Sequence, residues 1–206
     1  MVQAPTPLPD VVVDFEAMIF VGGFDPRLWS EEAAAQSTLE QRDGALVISH
    51  VPDLERATTR LVLRETFDLQ GLEAYEARLA LDETNGSGNI HLTLNADSMS
   101  WWTQCLIQND AQPRVSCVAT KWPTASFDYQ TEFTLADFGA WHTVRIEVSA
   151  DPVAFRYFLD GQPIGEYQPP RPERFSETTY TLDVGAWSST TSVVGRVDDV
   201  VVSRRP

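Results

Sequence analysis

The chain has 206 residues, of which 43% are hydrophobic and 22% charged, a balance that suits a soluble fold with a full core. Its net charge of −15 argues against nucleic acid and anionic lipid as partners, since phosphate contacts need a basic surface. No apolar run nears the ~20 residues that span a bilayer, so no membrane insertion is expected, and Met1 to Pro5 lacks the basic and apolar regions of a signal peptide.

Residues 1–9 include the run Gln3-Ala-Pro-Thr-Pro-Leu-Pro. A Pro/Thr-rich stretch stays extended and cannot bury a core, so it reads as a linker or disordered N-terminus. Residues 10–206 then form a single β-sandwich domain, a module of a longer exported chain. Strands are expected over 11–16, 45–50 and 59–67. Between the first two, Ser30-Glu31-Glu32-Ala33-Ala34-Ala35 carries an N-cap residue and first-turn acids, which predicts one or two helical turns.

From Glu73 to Asp82 the sequence alternates, with Ala77, Leu79 and Leu81 on one face and Glu76, Arg78 and Asp82 on the other. After the turn at 84–89, Ile90, Leu92 and Leu94 alternate with His91, Thr93 and Asn95. Strands over 99–108 and 115–122 flank the turn formers Asn109-Asp110 and Pro113, which makes a hairpin. Cys105 and Cys117 fall at mirrored positions on its arms. Two readings stay open for them: a cross-strand disulfide, which implies an oxidising compartment, or two buried thiols acting as small apolar residues.

Further strands are expected over 129–133, 141–149, 154–160, 162–167, 180–187 and 197–203, with Asp160-Gly161 as a tight turn and a second short helix at 135–139. Many short alternating strands predict an all-β, two-sheet antiparallel sandwich.

Three stretches carry a family likeness: Trp141-His-Thr-Val-Arg-Ile-Glu-Val, Phe155-Arg-Tyr-Phe-Leu-Asp-Gly and Val197-Asp-Asp-Val-Val-Val. They resemble the C-terminal half of concanavalin A-like domains, the jelly-roll lectins and glucanases that include laminin G-like modules. The resemblance implies a jelly-roll sandwich in which the last strand pairs near the first. It does not imply one activity, because the family spans glycan-binding modules, adhesion domains, hydrolases and lyases.

The Glu-x-Asp-x-(x)-Glu strand for which hydrolases of this fold are known is missing here, and a retaining glycosidase needs two carboxylates about 5–5.5 Å apart. No catalytic residue is therefore assigned. Trp101 and Trp102 are adjacent on a strand, so one indole points to each face. Sugar rings stack on such indoles, and a platform is expected from Trp101 or Trp102 with Gln104, Glu76, Arg78, His91, Arg145 and Glu147. Trp29, Trp141 and Trp187 read as structural anchors.

A structural Ca²⁺ is the expected cofactor, held by Asp14 or Glu16 with Asp198 or Asp199 if the two end strands pair, one of the latter two facing inward. The reading favoured by the sequence is a non-catalytic carbohydrate-binding module of an exported bacterial protein. It would be monomeric and extracellular or in the cell envelope, with a glycan or cell-surface protein as partner. The alternatives are an adhesion spacer and a divergent glycoside hydrolase or polysaccharide lyase.

Overall fold

A computed structural model describes residues 10–13, 15, 24–84, 86–109, 112–121, 127–134, 138–176 and 178–205. Its strands are β1 (Val11–Val13), β2 (Trp29–Glu32), β3 (Thr38–Arg42), β4 (Ala45–His50), β5 (Thr58–Leu63), β6 (Leu72–Thr84), β7 (Gly88–Ala96), β8 (Trp101–Asn109), β9 (Pro113–Lys121), β10 (Tyr129–Thr134), β11 (His142–Ala150), β12 (Val153–Leu159), β13 (Gln162–Tyr167), β14 (Thr181–Trp187) and β15 (Val193–Arg204). The helix α1 is a single turn, Glu173–Ser176.

Two antiparallel sheets form the sandwich. The first runs β13-β12-β11-β6-β15-β4-β3, with β1 added on β15, and the second runs β10-β9-β8-β7-β14-β5-β2. Strand-period alternation explains the packing: Ala77, Leu79, Leu81, Val144 and Ile146 of the first sheet meet Ile90, Leu92, Leu94, Leu182 and Val184 of the second, all buried. The first and last strands pair as the family likeness implies, Val11 opposite Val202 and Val13 opposite Val200.

The helix expected at Ser30–Ala35 is a strand instead. Trp29 is fully buried, Trp29–Glu32 pairs with Leu63–Arg60 of β5, and the Ser30 hydroxyl donates to the Val62 carbonyl. Core packing of one indole and a ladder with a distant strand outweigh weak local helix signals. Of the second expected helix, Leu135–Asp137 lies outside the described residues. Strand β3 was not anticipated.

Cys105 and Cys117 sit opposite each other in the β8–β9 register and are joined as a disulfide on the core side of the second sheet, which settles the open choice. At one flank the two sheets close on each other: the Thr131 hydroxyl of β10 donates to the Ile164 carbonyl of β13, and the Tyr129 hydroxyl lies where a side chain at Gly165 would be.

His50 is fully buried. Its Nε2 lies 3.1 Å from the Ser188 carbonyl, to which it donates, and its Nδ1 accepts from the Thr59 hydroxyl at 3.0 Å. Burial pulls its pKa below 6.5, partly offset by the Ser188 carbonyl. The folded state therefore keeps this imidazole neutral where the unfolded chain protonates it. Above pH ~6.5 the residue adds no pH dependence, and stability falls as pH drops from there toward the depressed folded value. Thermal melts between pH 8 and pH 5 should show this decline, and a His50→Gln chain should lose that part of the slope.

Candidate functional site

The outer face of the second sheet carries a groove of about 470 Å³. Strand pairing places its residues. In one row across the sheet stand Gln104, Thr93 and Asp183; in the next, Leu106, His91, Gly185 and Arg60; then Gln108, Asn89, Trp187 and Thr58. Trp102 and Asn95 are paired in the row beyond Gln104. Alternate residues of a strand share a face, so β8 and β7 each present four side chains to the groove. Trp187 is 38% exposed and Phe127 48% exposed, while Trp102, half-buried, meets Phe127 edge-on at 6.3 Å between ring centroids.

Asp183 lies on the floor, fully buried. Its Oδ2 accepts from Asn95 Nδ2 at 2.6 Å and from Arg60 Nη1 at 3.1 Å, and Arg60 also reaches Glu32 at 2.8 Å. Its Oδ1 has no hydrogen-bond partner among the described residues and lies 3.5 Å from His91 Nε2. The other His91 nitrogen, Nδ1, is 2.9 Å from Asn89 Oδ1, which accepts its proton. The remaining nitrogen and the free carboxylate oxygen thus face each other.

Gly185 makes this arrangement fit. A Cβ there would sit 2.6 Å from Arg60 Cβ, 2.7 Å from the Thr59 carbonyl oxygen and 3.0 Å from His91 Nε2, so only hydrogen leaves the floor open between Arg60 and His91. Beyond Asp183, His91 and Arg60, the polar part of the lining is amide and hydroxyl, set beside the apolar Trp102, Leu106, Phe127 and Trp187. Gln108, with its amide oxygen turned toward Arg114, accepts from Nε at 2.7 Å and Nη2 at 2.9 Å. Among the described residues that line the groove, Asp183 is the one carboxylate; Glu32 lies beyond Arg60, which fills the space between them.

Of the platform residues expected from sequence, Trp102, Gln104 and His91 line this groove. Trp101 does not: it is 4% exposed and packs on Phe155 and Phe175 in the core. Glu76, Arg78, Arg145 and Glu147 belong to the opposite surface, the outer face of the first sheet. There Arg145 bridges Glu76 and Glu147 at 3.5 and 3.1 Å. Trp187, expected as an anchor, is a groove residue. Sequence reasoning missed Asp183 and Arg60; the alternation of Thr181-Leu-Asp-Val-Gly-Ala-Trp marks Asp183 as outward, but not its partners.

For the expected metal, Asp14 and Glu16 lie outside the described residues. Asp198 is not in the core but on the outer face beside Arg78, whose Nη1 is 3.6 Å from its Oδ2 and 3.1 Å from Asp199 Oδ2. Neither aspartate faces inward as expected, because Asp199 takes a left-handed backbone (φ 47°) at a bulge that shifts the register. Asp198 is nonetheless 7% exposed, and its Oδ1 is buried without a hydrogen-bond partner among the described residues. No group of three or more His, Cys, Asp or Glu among the described residues could hold a metal ion by itself. On the same surface Trp141 lies between Arg78 and Arg196, whose guanidinium carbons are 4.9 and 4.7 Å from its ring centroid.

No family model matches the sequence, and no curated protein is close enough in sequence to match. Solved structures do match in shape. The catalytic domain of an endo-1,3-β-glucanase (laminarinase) from Thermotoga petrophila superposes with a TM-score of 0.70 at 13% identity, over 95% of this chain and 97% of that one. A Bacillus licheniformis β-glucanase gives 0.66 at 13% identity over 98% and 100%. A Crh5 transglycosylase gives 0.72 at 14% over 97% and 86%. The fold is the concanavalin A-like jelly roll. In this jelly roll the groove lies on the outer face of one sheet. These likenesses overturn the preference for a non-catalytic binding module and favour its alternative, a divergent glycoside hydrolase. Among the described residues no helix is long and apolar enough to cross a membrane.

Proposed function

We propose that the chain is a divergent glycoside hydrolase that acts on a β-linked glucan lying in the groove of the second sheet. The observation that carries the reading is the Asp183–His91 pair on the floor of a groove flanked by Trp102, Phe127 and Trp187, in a jelly roll shaped like glucanases. Exposed aromatic faces suit the C–H faces of sugar rings, and the amides of Gln104, Asn89 and Asn95 suit their hydroxyls.

With one carboxylate among the described residues of the groove, the usual pair of acids is replaced by a carboxylate–imidazole pair. His91 Nε2 gives its proton to the glycosidic oxygen as the bond from that oxygen to the anomeric carbon breaks. Water adds to the anomeric carbon, and the proton it sheds returns to His91 through Asp183.

Incubation with mixed-linkage β-glucan and with a linear β-1,3-glucan should release new reducing ends, and a Trp102→Ala chain should raise KM by roughly tenfold, as loss of a stacking surface of about 1–1.5 kcal/mol predicts. Absence of product from both glucans overturns the reading.

The proposal has two further parts. The chain works outside the cytoplasm, which the disulfide supports. It also holds a structural Ca²⁺ to which Asp198 contributes one oxygen ligand together with Asp14 or Glu16; the buried Oδ1 of Asp198 supports this. A ligand present at about 100 times its Kd stabilises by about 2.7 kcal/mol, so millimolar Ca²⁺ should raise Tm by roughly 5–10 °C. Chelator, or Asp198→Asn, should remove the rise; equal melting with Ca²⁺ and with chelator would sink this part.

A further inference from the structure

At one end of the sandwich, away from the groove floor, a second pocket of about 120 Å³ opens between the start of β8 and the segment around α1. Its walls are apolar: Met99, Trp101, Tyr167 and Phe175. The last three are almost fully buried, and Trp101 packs on both Tyr167 and Phe175. Cavities of about 150 Å³ with apolar walls hold a benzene ring, so this one matches a single phenyl-sized group.

The rim is the opposite in character. Lys121, Arg171 and Arg174 line it and are exposed. In a chain of net charge −15, most arginines are tied to carboxylates, as Arg60, Arg78, Arg145, Arg196 and Arg204 are. These three cations make no ion pair or side-chain hydrogen bond among the described residues. Asp128 also lines the pocket, so its described residues carry an excess of two positive charges. Burial, with the charge of Asp128 adding to it, raises the Tyr167 hydroxyl to about 12, so it stays a neutral donor.

We infer that this pocket binds an aromatic carboxylate, its ring against Trp101, Tyr167 and Phe175 and its carboxylate among Lys121, Arg171 and Arg174. Two independent features select that chemistry. The walls select an apolar ring over a hydroxylated sugar, because they offer little to satisfy buried hydroxyls. The rim selects an anion, by charge-assisted hydrogen bonds from guanidinium groups that no carboxylate of the described residues occupies. The site stands apart from the groove, and its occupancy does not depend on glycan turnover.

The test uses the full chain with 3-phenylpropionate as probe and its neutral amide, 3-phenylpropanamide, as control, followed by the Trp101 indole N–H resonance and by calorimetry. The carboxylate should shift that resonance saturably and bind at least tenfold more tightly than the amide. Binding should weaken with added salt. An Arg171→Gln/Arg174→Gln chain should lose at least tenfold in carboxylate affinity while its amide affinity stays the same; both positions are exposed, so the fold is retained and the melting temperature checks this. Equal affinity for carboxylate and amide, unchanged affinity in the double variant, or no movement of the Trp101 resonance would each overturn the inference.

Discussion

An Asp183→Ala chain is expected to melt roughly 6–20 °C below the parent and to lose glucan turnover altogether. The side chain is fully buried and ties together three strands: Arg60 of β5, Asn95 of β7 and its own β14. Removing one partner of a buried charge pair typically costs about 3–5 kcal/mol, because the survivor keeps its desolvation without its counter-charge; in a domain of this size each kcal/mol moves Tm by about 2–4 °C. Glu32 still holds Arg60, which places the expected loss toward the lower end. Asp183→Asn separates stability from chemistry. It keeps an acceptor for Arg60 and Asn95 but cannot take a proton, so it should melt nearer the parent while kcat falls by about 10²–10⁴-fold with little change in KM. Full activity in Asp183→Asn would show that this carboxylate only builds the floor.

The second large effect concerns the disulfide. Cys105 and Cys117 close a loop with a sequence separation of 12, and a link across about that length stabilises by about 3 kcal/mol, chiefly by restricting the unfolded chain. A Cys105→Ala/Cys117→Ala chain should therefore melt roughly 6–12 °C lower. Cys105 lies between Gln104 and Leu106, both of which face the groove, so the change should also loosen the floor and raise KM. Scanning calorimetry with and without reductant, with thiol content confirmed by mass, measures the same quantity without mutation; identical melting of the oxidised and fully reduced protein would contradict it.

Much of the sandwich is legible from period-two patterning. Ala77/Leu79/Leu81, Ile90/Leu92/Leu94 and Val144/Ile146/Val148 all point into the core as the alternation predicts. The strand ends Ala45–His50 and Gln162–Tyr167 coincide with the expected bounds. Where patterning misled, a non-local contact is the cause: Ser30–Glu32 reads as a helix start in isolation, and only its pairing with β5 makes it a strand.

The site shows the same division. Parity tells which side of its own strand a residue occupies, but a sandwich has two outer faces, and parity does not say which sheet a strand joins. Glu76 and Arg145 are outward, as read, and so is Trp102, yet they lie on opposite surfaces of the domain. The role of Asp183 escapes parity for a related reason. Its partners Arg60 and Asn95 are 123 and 88 residues away, and no local signal announces a meeting over that distance.

The seam between β10 and β13 bears on self-association. Exposed sheet margins are templates on which another chain can add strands. At this flank each margin is sealed by the other, through Thr131–Ile164 and Tyr129 against Gly165. Among the described residues the outermost strands at the far ends of the two sheets are β2 and β3; β2 bears Glu31 and Glu32, the latter paired with Arg60, and β3 bears Glu40 and Arg42. Two copies meeting β2 to β2 would bring Glu31 of one near Glu31 of the other, which disfavours strand addition at that margin.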